Sequence, residues 1–128
     1  MKIIYILKAI INIKNLPPEG RRGLFFYFLN KRKFRHIEYP ITVYEHTYIR
    51  NHDKISLGNN CQIYRNCLIS PTDLKAGNYV NFGYNGFFAG RIEIGNNVMF
   101  GPNVVIPGAN HNFSKKNIPI RNQGSTIR

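Results

Sequence analysis

The groups best suited to chemistry in this chain are four histidines and two cysteines, in a sequence with only six carboxylates. His111 stands out by its setting. It follows Pro107-Gly108 in ANHNFSKKNIPIRNQGS, a polar stretch that breaks the apolar pattern before it. Imidazole moves protons near neutral pH, although a lone histidine on such a stretch is by itself more often a solvated loop residue. His36, His46 and His52 come earlier. His46 and His52 lie six apart with no cysteine or carboxylate at ligand spacing, a weak basis for a metal site. Cys61 and Cys67 form no CxxC pair and are too few to staple a small domain, so they are expected as reduced thiols of a cytosolic protein.

What must position these groups is written in a period of six. Leu57, Ile63 and Ile69, then, after one extra residue around Pro71-Thr72-Asp73, Ala76, Phe82, Phe88, Ile94, Phe100 and Ile106 recur at that spacing. Two residues before each stand Ile55, Cys61, Cys67, Leu74, Val80, Gly86, Ile92, Val98 and Val104. Of these positions only Gly86 is not aliphatic, Phe, Cys or Ala. Over the rest of 55–106 hydrophobic side chains are sparse: Tyr64, Leu68, Tyr79, Tyr84, Phe87, Ala89, Met99 and Val105. Neither a helix nor a plain strand has that period. Glycine, asparagine and proline cluster just after each pair, where the chain must turn. Short strands alternating with corners make a solenoid, and three hexads, one per side, close a coil. Ile63/Phe82/Phe100 and Ile69/Phe88/Ile106 then stack, and Cys61 and Cys67 fall in separate columns, as free buried thiols rather than a bridge.

The first third is different. Met1 to Lys14, MKIIYILKAIINIK, is too short and too interrupted by lysine to cross a bilayer, and no small-residue cleavage site follows it. It is expected to be a short helix, buried or touching a membrane, with a strand as the alternative. Pro17-Pro18-Glu19 ends it and opens a second helix. LFFYFL at 24–29, between Arg21-Arg22 and Lys31-Arg32-Lys33, suits either anionic lipid or packing on protein. The whole chain carries 18 Lys and Arg against six acids, a formal charge of +12. That surplus fits any polyanion: nucleic acid, an anionic leaflet, a phosphorylated cofactor or an acidic polysaccharide. Nucleic acid is disfavoured, because the aromatics at 82, 88 and 100 are assigned inward and cannot stack on bases.

The hexads resemble those of the hexapeptide-repeat acyltransferases, most closely the maltose/galactoside and polysaccharide O-acetyltransferase group, over about residues 37–128. The resemblance implies an all-β fold, a left-handed parallel β-helix, with residues 1–36 as an N-terminal helical and basic extension and a catalytic loop at about 107–124. The handedness rests on the resemblance alone, since the general preference for right-handed crossovers points the other way. It makes His111 the catalytic base, which takes a proton from a sugar hydroxyl as the oxygen attacks a thioester. It makes Asn81, five repeat lengths earlier, and Tyr79 the acceptor-binding residues, and both face outward in the hexad register. It further implies acetyl-CoA as acyl donor and no metal, a saccharide acceptor in surface-polysaccharide biosynthesis, and a homotrimer with clefts between subunits. The expected place is the cytoplasm or the inner face of its membrane. Lys115, Lys116 and Arg121 are candidates to attract the CoA phosphates.

Members of that group continue past a segment like NIPIRNQGSTIR into coils that build much of the acetyl-CoA site, and this sequence stops at Arg128. The alternative expectation is therefore a truncated β-helix, catalytically incomplete, that only assembles or binds.

Overall fold

The computed structural model describes residues 2–127. Two helices come first, α1 (Lys2–Ile11) and α2 (Pro18–Asn30). Pro18 opens α2, where a missing N–H costs nothing, and Glu19 lies in its first turn. Short strands follow: β1 (His36–Ile37), β2 (Ile41–Val43), β3 (Tyr48–Ile49), β4 (Ile55–Leu57), β5 (Cys61–Ile63), β6 (Leu68–Ala76), β7 (Asn81–Phe82), β8 (Phe87–Ile94) and β9 (Val105–Ile106). The chain ends in an antiparallel pair, β10 (Ala109–His111) and β11 (Ser125–Ile127).

Every other pairing is parallel and joins one coil to the next, which makes a β-solenoid of about four turns. Its faces are three. One stacks β2, β5 and β7; a second stacks β3 with the first halves of β6 and β8, then β9; the third stacks β1, β4 and the second halves of β6 and β8. The pairing of β6 with β8 shifts between Pro71 and Asp73, where the hexad reading needs its extra residue. Coils thus differ in length. Ile41 pairs with Cys61, Gln62 with Asn81, and Asn81 bridges Met99, so each of these coils is shorter by one than the coil before it.

Of the positions assigned inward, most are buried, and only Ala76, Val98, Phe100, Val104 and Ile106 are half-buried. Gly86, the one that broke the apolar rule, is buried too, and a Cβ on it would collide with the Phe88 ring. The core also holds Ile37, Tyr39, Ile41 and Val43, a first coil ahead of the hexads. Cys61 and Cys67 are free and buried; the Cys67 Sγ donates to the Gly83 carbonyl at 2.9 Å. Burial pushes both thiols up from their ordinary pKa.

Corners use the left-handed backbone that asparagine tolerates: Asn51, Asn60, Asn66, Asn85, Asn97 and Asn103 all have φ between 56° and 61°. Two columns of corner asparagines, one left-handed and one just before left-handed residues in the chain, are tied by side chains. Asn66 donates to Asn85, which donates to Asn103; the amides of Asn59 and Asn78 donate to the side-chain carbonyls of Asn78 and Asn96.

Candidate active site

Outward side chains on the first face form a column that is polar until its last member, Met99. Thr42 pairs in register with Gln62, Gln62 with Asn81, and Asn81 with Met99, so their side chains project side by side at the spacing of neighbouring strands, about 4.8 Å. Beside them the corner column runs Asn60, Tyr79, Asn97. Together these residues, with Pro40 and Val98, line a groove of about 420 Å³. Tyr79 and Asn81 therefore share one site. The Asn81 side chain is half-buried and has no hydrogen-bond partner among the described residues, which leaves its carbonyl and amino group for a ligand.

Tyr79 sits in an unusual backbone state. Its φ is 58°, where the coils on either side place Asn60 and Asn97. A bulky residue there costs on the order of 1 kcal/mol or more, because its Cβ crowds the following carbonyl. Tyr79 is 57% exposed, so that strain is not offset by burial of the residue. Gln62 and Thr42 were not singled out by sequence. The signal was present, since each occupies the outward middle of a two-apolar strand, as Asn81 does one or two coils later. Gln62 is oriented: the Tyr64 hydroxyl donates to its Oε1 at 2.7 Å, which turns the amino group into a fixed donor.

His111 is built on the hairpin that leaves the solenoid after β9. Gly108 passes directly over Gly90, so closely that a Cβ on Gly108 would collide with the Gly90 backbone. A little further on, His111 pairs across the hairpin with Ser125, whose Oγ lies 3.3 Å from Nδ1. When Nδ1–H donates to that oxygen, the lone pair of Nε2 is left free, and Nε2 has no partner among the described residues.

The polar stretch behind His111 is tied down rather than loose. Gln123 donates to the carbonyls of Lys115 (2.7 Å) and Ile118 (2.6 Å) and accepts from the Lys115 amide. Asn112 donates to the Gln123 carbonyl and accepts from Thr126.

Three hollows surround this hairpin. One of about 280 Å³ is lined by Asn110 to Ser114 and Thr126, so His111 opens into it. A more apolar one of about 350 Å³ lies between the Pro107–Ala109 exit and Phe87, Ala89 and Gly90 of β8. A third, of about 560 Å³, carries Lys115 and Lys116 at its wall; Arg121 is exposed but does not line it.

Within one chain the expected site residues are not brought together. The groove of Tyr79 and Asn81 shares no lining residue with the hollow of His111. The reason is their place on the coil. Asn81 and Met99 stack one turn apart on the first face, whereas His111 follows β9, on the second face, in a hairpin that has already left the coil. His36, His46 and His52 lie away from these hollows. His46 occupies a left-handed corner, and His52 packs edge-on against Phe34 at 5.0 Å.

The fold is similar to that of AntD, an N-acyltransferase from Bacillus cereus whose structure was solved in complex with dTDP and 3-hydroxybutyryl-CoA. The TM-score is 0.64 and the identity 20%, over 78% of this chain. This chain spans 57% of the length of AntD. At that identity the likeness establishes the solenoid fold. No family model matches the chain, and neither does any curated protein.

Proposed function

We propose that the chain is an acyl-CoA-dependent acyltransferase, and more narrowly an O-acetyltransferase that moves an acetyl group from acetyl-CoA to a sugar hydroxyl in surface-polysaccharide biosynthesis. The observation that carries this reading is the His111 imidazole, held at Nδ1 by Ser125 with Nε2 free at a hollow beside an apolar channel. A base of that kind takes the proton of a hydroxyl as its oxygen attacks the thioester carbonyl. The tetrahedral intermediate collapses, the carbon–sulfur bond breaks, and the imidazolium returns the proton to the thiolate. AntD, on the same fold, was solved with a CoA thioester, which supports the donor class.

The remaining residues take natural places. The channel between Phe87, Ala89 and the Pro107–Ala109 exit suits the acyl-bearing arm of the donor, and Lys115 and Lys116 suit its phosphates. The amide-lined groove of Gln62, Tyr79 and Asn81 suits a polyhydroxyl acceptor. Because that groove and His111 lie apart in one chain, the complete site forms between neighbouring copies in a homotrimer. The work is done in the cytoplasm or at the inner face of its membrane.

Acetyl transfer from acetyl-CoA to a panel of sugars, followed by release of the CoA thiol, tests this. His111→Ala lowers kcat by about 10²–10⁴-fold; equal turnover by both proteins removes His111 from the mechanism. Mixed assemblies of His111→Ala and Asn81→Ala chains, each inactive alone, recover part of the activity. Failure of every mixture to recover any would end the shared-site reading.

A second reading is favoured by that same separation: a β-helix that assembles or binds without catalysis. It requires no thioester cleavage and no rise in melting temperature with CoA.

A further inference from the structure

Helix α1 has two apolar faces. Ile6 and Ala9, with Ile13 just beyond the helix, turn inward at the spacing of helical turns and pack on the core. The opposite face would be polar in an ordinary surface helix. Here it carries Ile4, Leu7 and Ile11, with Ile3 alongside; Ile3 is 70% and Ile11 79% exposed. Apart from Lys2 and Lys8 every residue of α1 is apolar or aromatic, and an outward face of that composition is stabilised when something apolar covers it.

Helix α2 repeats the arrangement. Gly23 and Leu24 are buried, so closely that a Cβ on Gly23 would collide with the Ile41 carbonyl. Phe25, Phe28 and Leu29 stand on the outside, bracketed by Arg21-Arg22 and Lys31-Arg32-Lys33.

We propose that α1 and α2 form a docking surface for an anionic lipid bilayer, with both helices lying in the interface. Charge selects this occupant. Nine of the 18 Lys and Arg fall in residues 1–36, where Glu19 is the one acid. Arg22 is paired with Glu45, and Arg35 with Asp73. Arg21, Lys31, Arg32 and Lys33 have no acidic partner among the described residues. A second copy of the chain would bring the same cations against one another, and the rest of the molecule is also net basic. Anionic headgroups supply the missing charge while the acyl boundary covers the isoleucines and phenylalanines. Neither helix is long and apolar enough to cross a membrane, so the contact is peripheral. The surface uses no residue of the grooves that hold His111, Tyr79 and Asn81, and it stands or falls apart from acyl transfer.

Flotation of the full chain tests it, with vesicles of phosphatidylcholine alone and with about three parts phosphatidylcholine to one of phosphatidylglycerol. The protein floats with the anionic vesicles at least about tenfold more strongly, and raised salt weakens the association. Ile4→Gln/Ile11→Gln, on outward positions, lowers partition by about tenfold or more without changing the melting temperature. Arg32→Gln/Lys33→Gln lowers it by about twenty-five-fold, since each cation near an anionic surface is worth about fivefold. Equal flotation with both vesicles, or with neither, overturns the proposal, as does an isoleucine variant that binds like wild type. Sedimentation velocity covers the remaining case. An oligomer that Ile4→Gln/Ile11→Gln dissolves, with no vesicle binding, assigns the face to a second copy and overturns the proposal as well.

Discussion

The two ends of the solenoid are built from the same kinds of residue and treated differently. At the first coil, α2 lies across β2 with Gly23 against the Ile41 carbonyl, and Leu24 and Phe34 close the stack; both are buried. At the last coil, Val98, Phe100, Val104 and Ile106 continue the same columns but are only half-buried. Glycine shows the contrast most directly. A Cβ on Gly83 would collide with the Gly101 and Phe100 carbonyls of the next coil, whereas one on Gly101 meets nothing within 4 Å. Gly77 and Gly95 repeat that pair on another face. A position in a solenoid is therefore defined by the coil stacked above it as much as by its own place in the repeat.

This contrast can be broken by substitution. The largest effect is expected in the aromatic stack. Phe82 is fully buried, with ring centroids 5.0 Å from Phe88 and 6.0 Å from Phe100. Phe82→Ala costs about 3–5 kcal/mol, and Phe100→Ala about half as much because one side of its ring is already open. Urea melts of the two variants would decide; equal losses would mean the last coil is as well covered as the third.

Next comes the glycine pair. Gly83→Ala costs about 1–3 kcal/mol through overpacking, and Gly101→Ala stays within about 0.5 kcal/mol of wild type. Thermal melts showing the reverse order would refute the stacking argument.

The smallest effect lies at the capped end, where Glu45 joins Arg22 of α2 to Arg65 of the second coil. Its carboxyl is held below the ordinary range by its own backbone amide, then by Arg65 and Arg22. A depressed carboxylate contributes stability that is fully present above its unfolded pKa and is lost as pH falls through the folded one. Glu45→Gln should therefore lower the melting temperature slightly at pH 7 and converge on wild type as pH falls below about 4.5, which flattens the acid limb. An unchanged acid limb would assign no linkage to this contact.

Much of the wall was legible before any coordinates. The hexads picked out the inward positions of residues 55–106 because that alternation is local: each two-residue strand and its corner is specified by side chains adjacent in the chain, while Pro71, Gly83 and Gly90, outside the inward set, are buried as well. The extra residue at Pro71–Asp73 could be placed for the same reason. The first coil was harder to see. It is longer than a plain turn of three hexads, and Thr47 stands at an inward position, where its hydroxyl donates to the Tyr44 carbonyl instead of packing as an apolar group. Of the candidate site, Tyr79 and Asn81 share a groove as their spacing of two requires. Gln62 and Thr42 complete it from one and two coils earlier, a proximity that no local pattern contains.

By itself, then, the order of residues determined the period, the inward columns, the corner chemistry of asparagine and glycine, and a histidine set outside the repeat. Only the tertiary structure decided that α2 caps the first coil, that Gln123 braces the His111 hairpin, and that His111 and Asn81 stand on different sides of one chain. The first group follows from steric and solvent preferences acting within a single hexad. The second depends on how much chain each coil spends before it meets its neighbour, and that length takes effect only when the coils stack.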